Sequence, residues 1–179
     1  MVKNLTQKEK MHLEDQKNQE ELCIKKYNDY AYQAQDAQLK QLFKDTALQE
    51  QQHLNTINSI LAGQVPNMNQ QSQQQNQAQQ SQQSQQQNQT QQSQQNNQNQ
   101  QSQTMTTSGT YNANDAYLCN DLLSTEKYVS NHYDTTIFEF RDHNIRNALN
   151  HIQKEEQEHG EKIYNYMEGH GMYNTQQQS

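Results

Sequence analysis

The sequence is poor in the residues that interrupt helices. Only one of its 179 residues is proline and five are glycine, so long segments can continue as helix without a break. It has no apolar run near ~18 residues, which excludes a membrane-spanning helix. The first residues include no apolar stretch typical of a secretory signal. We therefore expect a protein that stays inside the cell that makes it until something releases it.

Cysteine and basic residues are also scarce. The two cysteines, Cys23 and Cys119, are isolated and lack the spacing of metal-binding pairs, which predicts reduced, partly buried thiols. Twenty acidic residues outnumber 13 basic ones, for a net charge of −7. No basic stripe is present, and this argues against a nucleic-acid partner.

One uncharged segment accounts for much of the polar composition. Residues 67–103 contain 22 Gln, 7 Asn and 5 Ser in 37 positions, too few apolar groups to offset the entropy of ordering them. We predict a disordered linker at residues 64–111, either an inert spacer or an element that self-associates through its amides. A coil of about 50 residues spans ~35–43 Å, enough to run back along a helix of ~39 Å. Such a crossover connection would let the third helix start beside the start of the second; exchange of the hairpins between two chains is the alternative.

Helix start and stop signals divide the remaining residues into two hairpins. Thr6 and Glu9 have the spacing of a capping box, and Asp36 and Asp142 each precede an apolar-periodic stretch, as N-caps do. Residues that stop helices follow at Gly63, Pro66, Gly169 and Gly171. The predicted helices span 6–34, 37–62, 114–140 and 143–168. The predicted fold is all-α, with helical hairpins at 5–63 and 112–170 and a flexible tail at 171–179.

The two hairpins resemble each other. Residues 20–57 align without a gap with residues 126–163, at an offset of 106 positions, with seven identities in 38 positions. The identical pairs are Glu20/Glu126, Tyr27/Tyr133, Asp36/Asp142, Glu50/Glu156, Gln51/Gln157, His53/His159 and Ile57/Ile163. They include a helix cap and acids and imidazoles suited to a metal site, which indicates a duplicated helical hairpin.

Ionisable residues interrupt the apolar stripes of these helices. The second helix follows 4-3 steps through Leu39, Phe43, Thr46, Glu50, His53, Ile57 and Ile60. The fourth repeats the steps through Ile145, Leu149, Ile152, Glu156, His159, Ile163 and Tyr166. The first offers Leu13, Glu20, Ile24, Tyr27, Ala31 and Ala34, and the third Cys119, Leu122, Glu126, Val129, Tyr133, Ile137 and Phe140. These are core-facing positions of a four-helix bundle.

The inward acids and imidazoles predict a dinuclear metal site. A buried lone carboxylate costs several kcal/mol, and the charge of −4 on four glutamates is cancelled by two divalent cations. One Glu-x-x-His pair is common on an exposed helix face; here two stand in register, each with a glutamate 30 residues upstream. Carboxylates with imidazoles suit iron or manganese, with zinc as an alternative. The predicted ligands are Glu20, Glu50, His53, Glu126, Glu156 and His159.

Other residues are candidates to support those ligands. Tyr27 and Tyr133 lie seven residues beyond Glu20 and Glu126, where a phenol can hydrogen-bond a carboxylate of a neighbouring helix. Glu155 and, as a weaker acceptor, Gln49 precede the paired motifs and can orient an imidazole.

Nearly all of the predicted helical sequence resembles Coat F-domain spore coat proteins of spore-forming Gram-positive bacteria, especially the clostridial type. The resemblance rests on LTQKEKMHLEDQKNQEELCIKKYNDYAYQAQDAQLKQLFKDTALQEQQHLNTINSILAGQVPNMNQQ, NDLLSTEKYVSNHYDTTIFEF and HIQKEEQEHGEKIYNYM. It implies a ferritin-like bundle, synthesis in the mother-cell cytoplasm, and a structural rather than enzymatic role in the spore coat. Its partners would be other coat proteins or further copies of itself.

The ligand pattern is also similar to rubrerythrins, bacterioferritins and manganese catalases. That resemblance implies Glu20 and Glu126 as terminal or bridging carboxylates, with Glu50–His53 and Glu156–His159 as the paired motifs. Rubrerythrins have a further Glu three residues after the third-helix ligand, where this chain has Val129, and it lacks rubredoxin-type cysteine pairs. The alternative function is a dinuclear iron or manganese oxidoreductase, of the catalase, peroxidase or ferroxidase type, which protects or cross-links the coat.

Overall fold

The computed structural model describes residues 5–64 and 111–173. These residues form four α-helices and no β-strand: α1 (Gln7–Gln33), α2 (Ala37–Leu61), α3 (Ala113–Phe138) and α4 (His143–Gly169). The predicted boundaries agree with them to within two residues, so the all-α prediction is confirmed. The predicted linker at 64–111 and the tail at 171–179 lie mostly outside the described residues. No helix in the described ranges is long and apolar enough to span a membrane.

Local capping explains where the helices begin and end. Thr6 and Glu9 form the predicted capping box. The side chain of Asp36 accepts from the amide of Leu39, and Asp142 caps α4 in the same manner. Past the ends of α2 and α4, Gly63 and Gly171 have φ values of 80° and 67°, which favour glycine. Gly169, predicted to stop α4, instead remains its last residue.

The helices pack in antiparallel pairs. Short connections join α1 to α2 and α3 to α4, and each hairpin packs against the other through α1–α3 and α2–α4 contacts. Between α1 and α3, Gln16 donates to Thr136 at 2.8 Å and Tyr30 donates to Asp121 at 2.7 Å. The residue numbers of the α3 partners fall as those of the α1 residues rise, so α1 and α3 run antiparallel. Because α2 is also antiparallel to α1, α2 and α3 run in the same direction.

An acidic residue near the start of each hairpin contacts the turn of the other hairpin. Asp115 in α3 accepts hydrogen bonds from the backbone amides of Gln35 (2.8 Å) and Asp36 (3.0 Å), at the α1–α2 turn. Glu9 in α1 accepts from the amide of Arg141, at the α3–α4 turn (3.4 Å). Glu9 and Asp115 are themselves 106 positions apart. The start of α3 thus lies beside the start of α2, as the predicted crossover connection requires.

The predicted apolar stripes form the core, with one shift of register. Every stripe residue of α2, α3 and α4 is buried. In α1, however, Ile24 is only half-buried, while Cys23 and Gln16 are buried. The inward step after Glu20 is therefore three residues, to Cys23, and not four to Ile24. The prediction that Ile24 is a core residue was wrong, because residues three and four positions apart both lie on the same side of a helix.

The ionisable residues lie midway along the bundle. In α2, Leu39 and Phe43 are buried on one side of Glu50 and His53, and Ile57 and Ile60 are buried on the other. Apolar layers therefore separate the acids and imidazoles from both ends of the bundle. Water has little access along the bundle axis, so a charge placed there must be neutralised by its neighbours.

Candidate metal centre

The six predicted ligands meet in the interior of the bundle. Each is at most 2% exposed, so the prediction that they face inward is confirmed. Each helix contributes at least one of them because the carboxylates and imidazoles occupy core-facing positions of the 4-3 pattern. That they bind a metal stays a prediction. The six are Glu20 from α1, Glu50 and His53 from α2, Glu126 from α3, and Glu156 and His159 from α4.

The cluster has an internal two-fold arrangement. His53 Nδ1 lies 2.9 Å from an oxygen of Glu156, and His159 Nδ1 lies 2.9 Å from an oxygen of Glu50. Shifting each residue to its counterpart 106 positions away converts the first contact into the second. The two imidazole rings stack, with centroids 5.5 Å apart and an interplanar angle of 22°. The sequence repeat is thus also a repeat of side-chain geometry.

Two overlapping groups of ligand atoms can be drawn within the cluster. One consists of Glu20, Glu50, His53 and Glu156, and the other of Glu50, Glu126, Glu156 and His159. Within each group the candidate ligand atoms all lie within 4.8 Å of one another. Glu50 and Glu156 belong to both groups, whereas Glu20 and Glu126 belong to one each. The arrangement thus distinguishes two shared carboxylates from two terminal ones.

The cluster leaves many of its own polar atoms unsatisfied. Both carboxylate oxygens of Glu50 and of Glu156, one oxygen of Glu20 and one of Glu126 are buried without a hydrogen-bond partner. The Nδ1 atoms of His53 and His159 share this property, although carboxylate oxygens lie close by. A buried acceptor without a partner costs about 1–3 kcal/mol, and more when charged. Bound cations would satisfy oxygens and ring nitrogens together, so the residues present fit a metal pair.

Two tyrosines hold the terminal carboxylates. The hydroxyl of Tyr27 donates to Glu126, and that of Tyr133 donates to Glu20. Both phenols are completely buried, and each reaches a glutamate of the neighbouring helix. These are the contacts that their spacing predicted. Each leaves the second oxygen of its glutamate facing the cluster without a partner.

The outer sides of the two imidazoles differ. His53 Nε2 hydrogen-bonds Glu155 at 3.1 Å, and Glu155 also lies 3.4 Å from His151. His159 Nε2 has no hydrogen-bond partner among the described residues. Gln49, predicted as the weaker acceptor for an imidazole, instead accepts from Lys162 at 2.8 Å. The two-fold arrangement therefore holds for the inner atoms of the cluster and fails outside the imidazoles.

The cluster compensates its charges through opposed pKa shifts. Burial, reinforced by neighbouring carboxylates, raises the pKa values of Glu20 and Glu126 well above the ordinary range. Burial also opposes ionisation of Glu50 and Glu156, but the adjoining imidazoles outweigh it and lower both pKa values. Burial disfavours charged imidazoles, yet the facing carboxylates raise the pKa values of His53 and His159. Protons thus balance the carboxylates where no cation does.

Cys23 is a neighbour of the cluster that the sequence did not assign to it. It lies three residues after Glu20, on the same face of α1, and is 1% exposed. Burial, together with the glutamates of the cluster, raises the pKa of its thiol. Its counterpart at the offset of 106 is Val129. The i+3 spacing from Glu20 was the available signal, whereas the predicted stripe takes the four-residue step to Ile24.

Comparison with known proteins finds a family match for part of the chain. The model of the Coat F domain matches residues 114–176, a segment that includes nearly all of α3 and all of α4. The resemblance is thereby confirmed over the second hairpin, and the first hairpin lies outside the match. No curated protein and no solved structure matches the chain.

Proposed function

We propose, from the Coat F domain at residues 114–176, that this protein is a structural component of the bacterial spore coat whose bundle binds two metal ions. The Coat F domain supports the coat role and the coat location. Iron and manganese are the ions that the ligand chemistry favours. Synthesis in the mother cell and assembly with other coat proteins or further copies of the chain are parts of the same proposal.

One observation carries the metal proposal: side chains from all four helices meet as two groups that share Glu50 and Glu156. Four carboxylates and two neutral imidazoles carry a charge of −4, and two divalent cations bring this to zero. Carboxylate-rich sets with a few imidazoles suit iron and manganese better than zinc, whose structural sites favour four ligands rich in sulfur and nitrogen. The ferritin-like class of the bundle is part of this proposal.

The residues have separate roles toward the ions. Glu50 and Glu156 would bridge, while Glu20 and Glu126 would each hold one ion and keep their orientation through Tyr133 and Tyr27. His53 would bind through Nδ1, because its Nε2 already contacts Glu155. A carboxylate behind a ligating imidazole fixes the ring and raises its basicity.

Metal binding would stabilise the bundle. Each hairpin contributes three of the six side chains, so the ions would link both hairpins. A ligand that binds only the folded state adds about 2.7 kcal/mol at a concentration of 100 times its Kd. This would suit a component of a long-lived protein shell. The expected consequence is a midpoint of thermal unfolding that falls when a chelator removes the metal.

Elemental analysis tests the site directly. Protein purified without chelator is expected to contain about two iron or manganese ions per chain, and a Glu50→Ala/Glu156→Ala variant should contain almost none. The matched control is Glu14→Ala/Glu21→Ala, which removes two exposed glutamates of α1. Metal-free wild-type protein, or a double variant that keeps its metal, would overturn the metal proposal. The coat role is tested separately, by immunodetection in purified coats; absence there would contradict it.

A dinuclear oxidoreductase is the second candidate. It is favoured by a groove that reaches Glu126 and Glu156 from the surface, since a small oxidant needs access to a buried centre. A bound iron or manganese pair supplies reversible changes of oxidation state. The test is decomposition of peroxide by metal-loaded protein, with the Glu50→Ala/Glu156→Ala variant as the blank. Equal rates in the two samples would leave only the structural role.

A further inference from the structure

The packing of α3 against α4 leaves a groove on one side of the bundle. Its volume is about 710 Å³, and its lining includes Glu126 and Glu156 of the buried cluster. Its outer part is lined by Asp134 and Glu161, which are exposed. The groove therefore extends from solvent to two residues of the cluster, whose side chains are at most 2% exposed.

Gly160 keeps the inner part of this groove open. A Cβ atom at this position would lie 3.6 Å from Cδ1 of Leu123 and 3.7 Å from Cβ of Glu126. These are ordinary contact distances, so the backbone does not demand glycine there. What the glycine provides is the absence of a side chain immediately beside a glutamate of the cluster. Because Gly160 lines the groove, a side chain of several atoms at this position would extend into it.

The corresponding position in the first hairpin is filled. Subtracting the offset of 106 from position 160 gives Leu54, a half-buried leucine beside His53. The two-fold relation of the inner cluster makes the two positions equivalent with respect to the carboxylates. The α3–α4 side is therefore open where the α1–α2 side carries a four-carbon side chain.

The charges along the groove favour a positive solute. Its exposed acids are Asp134 and Glu161, and the single cation among its lining residues is Lys127. Carboxylates that line a concave path raise the local concentration of cations and speed their capture. The carboxylates of Asp134 and Glu161 also provide oxygen atoms, the ligands that divalent cations such as Mg²⁺ and Ca²⁺ prefer.

We infer that the α3–α4 groove is the path by which a hydrated divalent cation reaches the buried cluster, and that Gly160 keeps this path open. The inference rests on the proposed metal site. It adds that the cations enter this site from the α3–α4 side of the bundle. Asp134 and Glu161 capture the cation at the surface. Glu126 and Glu156 then receive it, because they are the cluster members that line the groove.

The test measures the rate of Mn²⁺ uptake by metal-free protein, followed as the loss of the paramagnetic resonance signal of free Mn²⁺. Gly160→Leu is expected to slow uptake about tenfold or more while the final Mn²⁺ stoichiometry stays at the wild-type value. The matched control is Gly169→Leu, which places the same side chain in α4 outside the groove, where a Cβ meets nothing within 4 Å. Its uptake rate should equal that of the wild type.

Two further variants keep the inference testable if Gly160→Leu folds poorly. Asp134→Asn/Glu161→Gln should slow uptake at low salt and lose this difference at high salt. Leu54→Ala in the Gly160→Leu background should restore part of the rate, by opening the equivalent position. Wild-type protein that binds no Mn²⁺ would overturn the metal site itself. Normal stoichiometry with unchanged rates in Gly160→Leu and in Asp134→Asn/Glu161→Gln would overturn the path alone.

Discussion

The phenol of Tyr133 on α3 donates a hydrogen bond to the carboxyl group of Glu20 on α1, deep in the bundle. The reciprocal bond joins Tyr27 on α1 to Glu126 on α3. Together they are the hydrogen-bonded links between the terminal acids of the cluster and the opposite hairpin. Both phenols have pKa values raised well above the ordinary range, chiefly by burial and next by the neighbouring glutamates, so they remain donors.

Removing either phenolic hydroxyl should destabilise the protein. Tyr27→Phe or Tyr133→Phe leaves a fully buried carboxyl group without its donor, which costs about 1–3 kcal/mol. Denaturant unfolding in the presence of a chelator measures this loss without interference from metal. Tyr30→Phe is the control, because Tyr30 donates to Asp121 at the partly exposed surface of the same α1–α3 interface. A loss no larger than that of Tyr30→Phe would contradict a structural role for the buried pair.

The metal-free protein should lose stability as the pH rises. His53 and His159 have folded-state pKa values above the ordinary 6.5, so their contribution is complete below that pH and is lost as pH rises through the folded values. The folded-state pKa values of Glu20 and Glu126 are raised above 4.5. These two acids therefore also lower the stability as the pH rises, from about pH 4.5 upward. Chelator-treated protein should therefore unfold at a lower denaturant concentration at about pH 9 than at about pH 6.

Metal should reverse this dependence. Bound cations replace the protons of the imidazoles and of the two terminal acids, so loading should release about four protons for two divalent ions. Affinity should accordingly rise with pH. Metal-loaded protein whose stability still declined between about pH 6 and about pH 9 as steeply as that of metal-free protein would contradict this exchange.

Substitution of a shared glutamate should remove more metal ions than substitution of a terminal one. Glu50→Gln keeps the shape but removes a charge from both ligand groups, so both ions should be lost. Glu20→Gln affects one group only and should leave about one ion per chain, on the His159 side. Mass spectrometry of the native protein or elemental analysis counts the ions. Equal stoichiometry in the two variants would contradict the distinction between shared and terminal carboxylates.

The helices and the inward cluster could be predicted because their determinants are local. Thr6, Asp36 and Asp142 are caps that act within one turn, and the 4-3 steps fix which side of a helix is buried. The Glu-x-x-His spacing places both side chains on one face whatever the helix packs against. The same reasoning failed at Ile24, because three-residue and four-residue steps both lie near that face and the choice between them depends on packing.

The asymmetric features could not be predicted because they depend on contacts between hairpins. Glu155 and Gln49 occupy equivalent sequence positions, yet one contacts His53 and the other Lys162. The role of Gly160 appears only when its distance from Glu126 on the neighbouring helix is known. In the sequence, Asp115 likewise cannot be distinguished from any other acidic residue in the first turn of a helix. The amides that it accepts from lie 79 and 80 positions away.

Asp115 should contribute to the joining of the two hairpins, because its buried carboxylate accepts from two amides of the other hairpin. Asp115→Ala removes the acceptor of two backbone amides, at Gln35 and Asp36, and should cost about 1.5–3 kcal/mol. Asp115→Asn keeps one acceptor oxygen and should cost less. Asp134→Ala, which removes an exposed acid of the same helix, should stay within about 0.5 kcal/mol of wild type.

Amide hydrogen exchange locates the effect of the Asp115 variants. The amides of Gln35 and Asp36 should exchange faster in Asp115→Ala than in wild-type protein, since each loses its acceptor. Amides in the middle of α2 should change only as far as global stability falls. An Asp115→Ala protein as stable as Asp134→Ala, with unchanged exchange at both turn amides, would mean that the helix packing alone sets the position of the α1–α2 turn. The parallel arrangement of α2 and α3 would then depend on the core stripes and not on this acid.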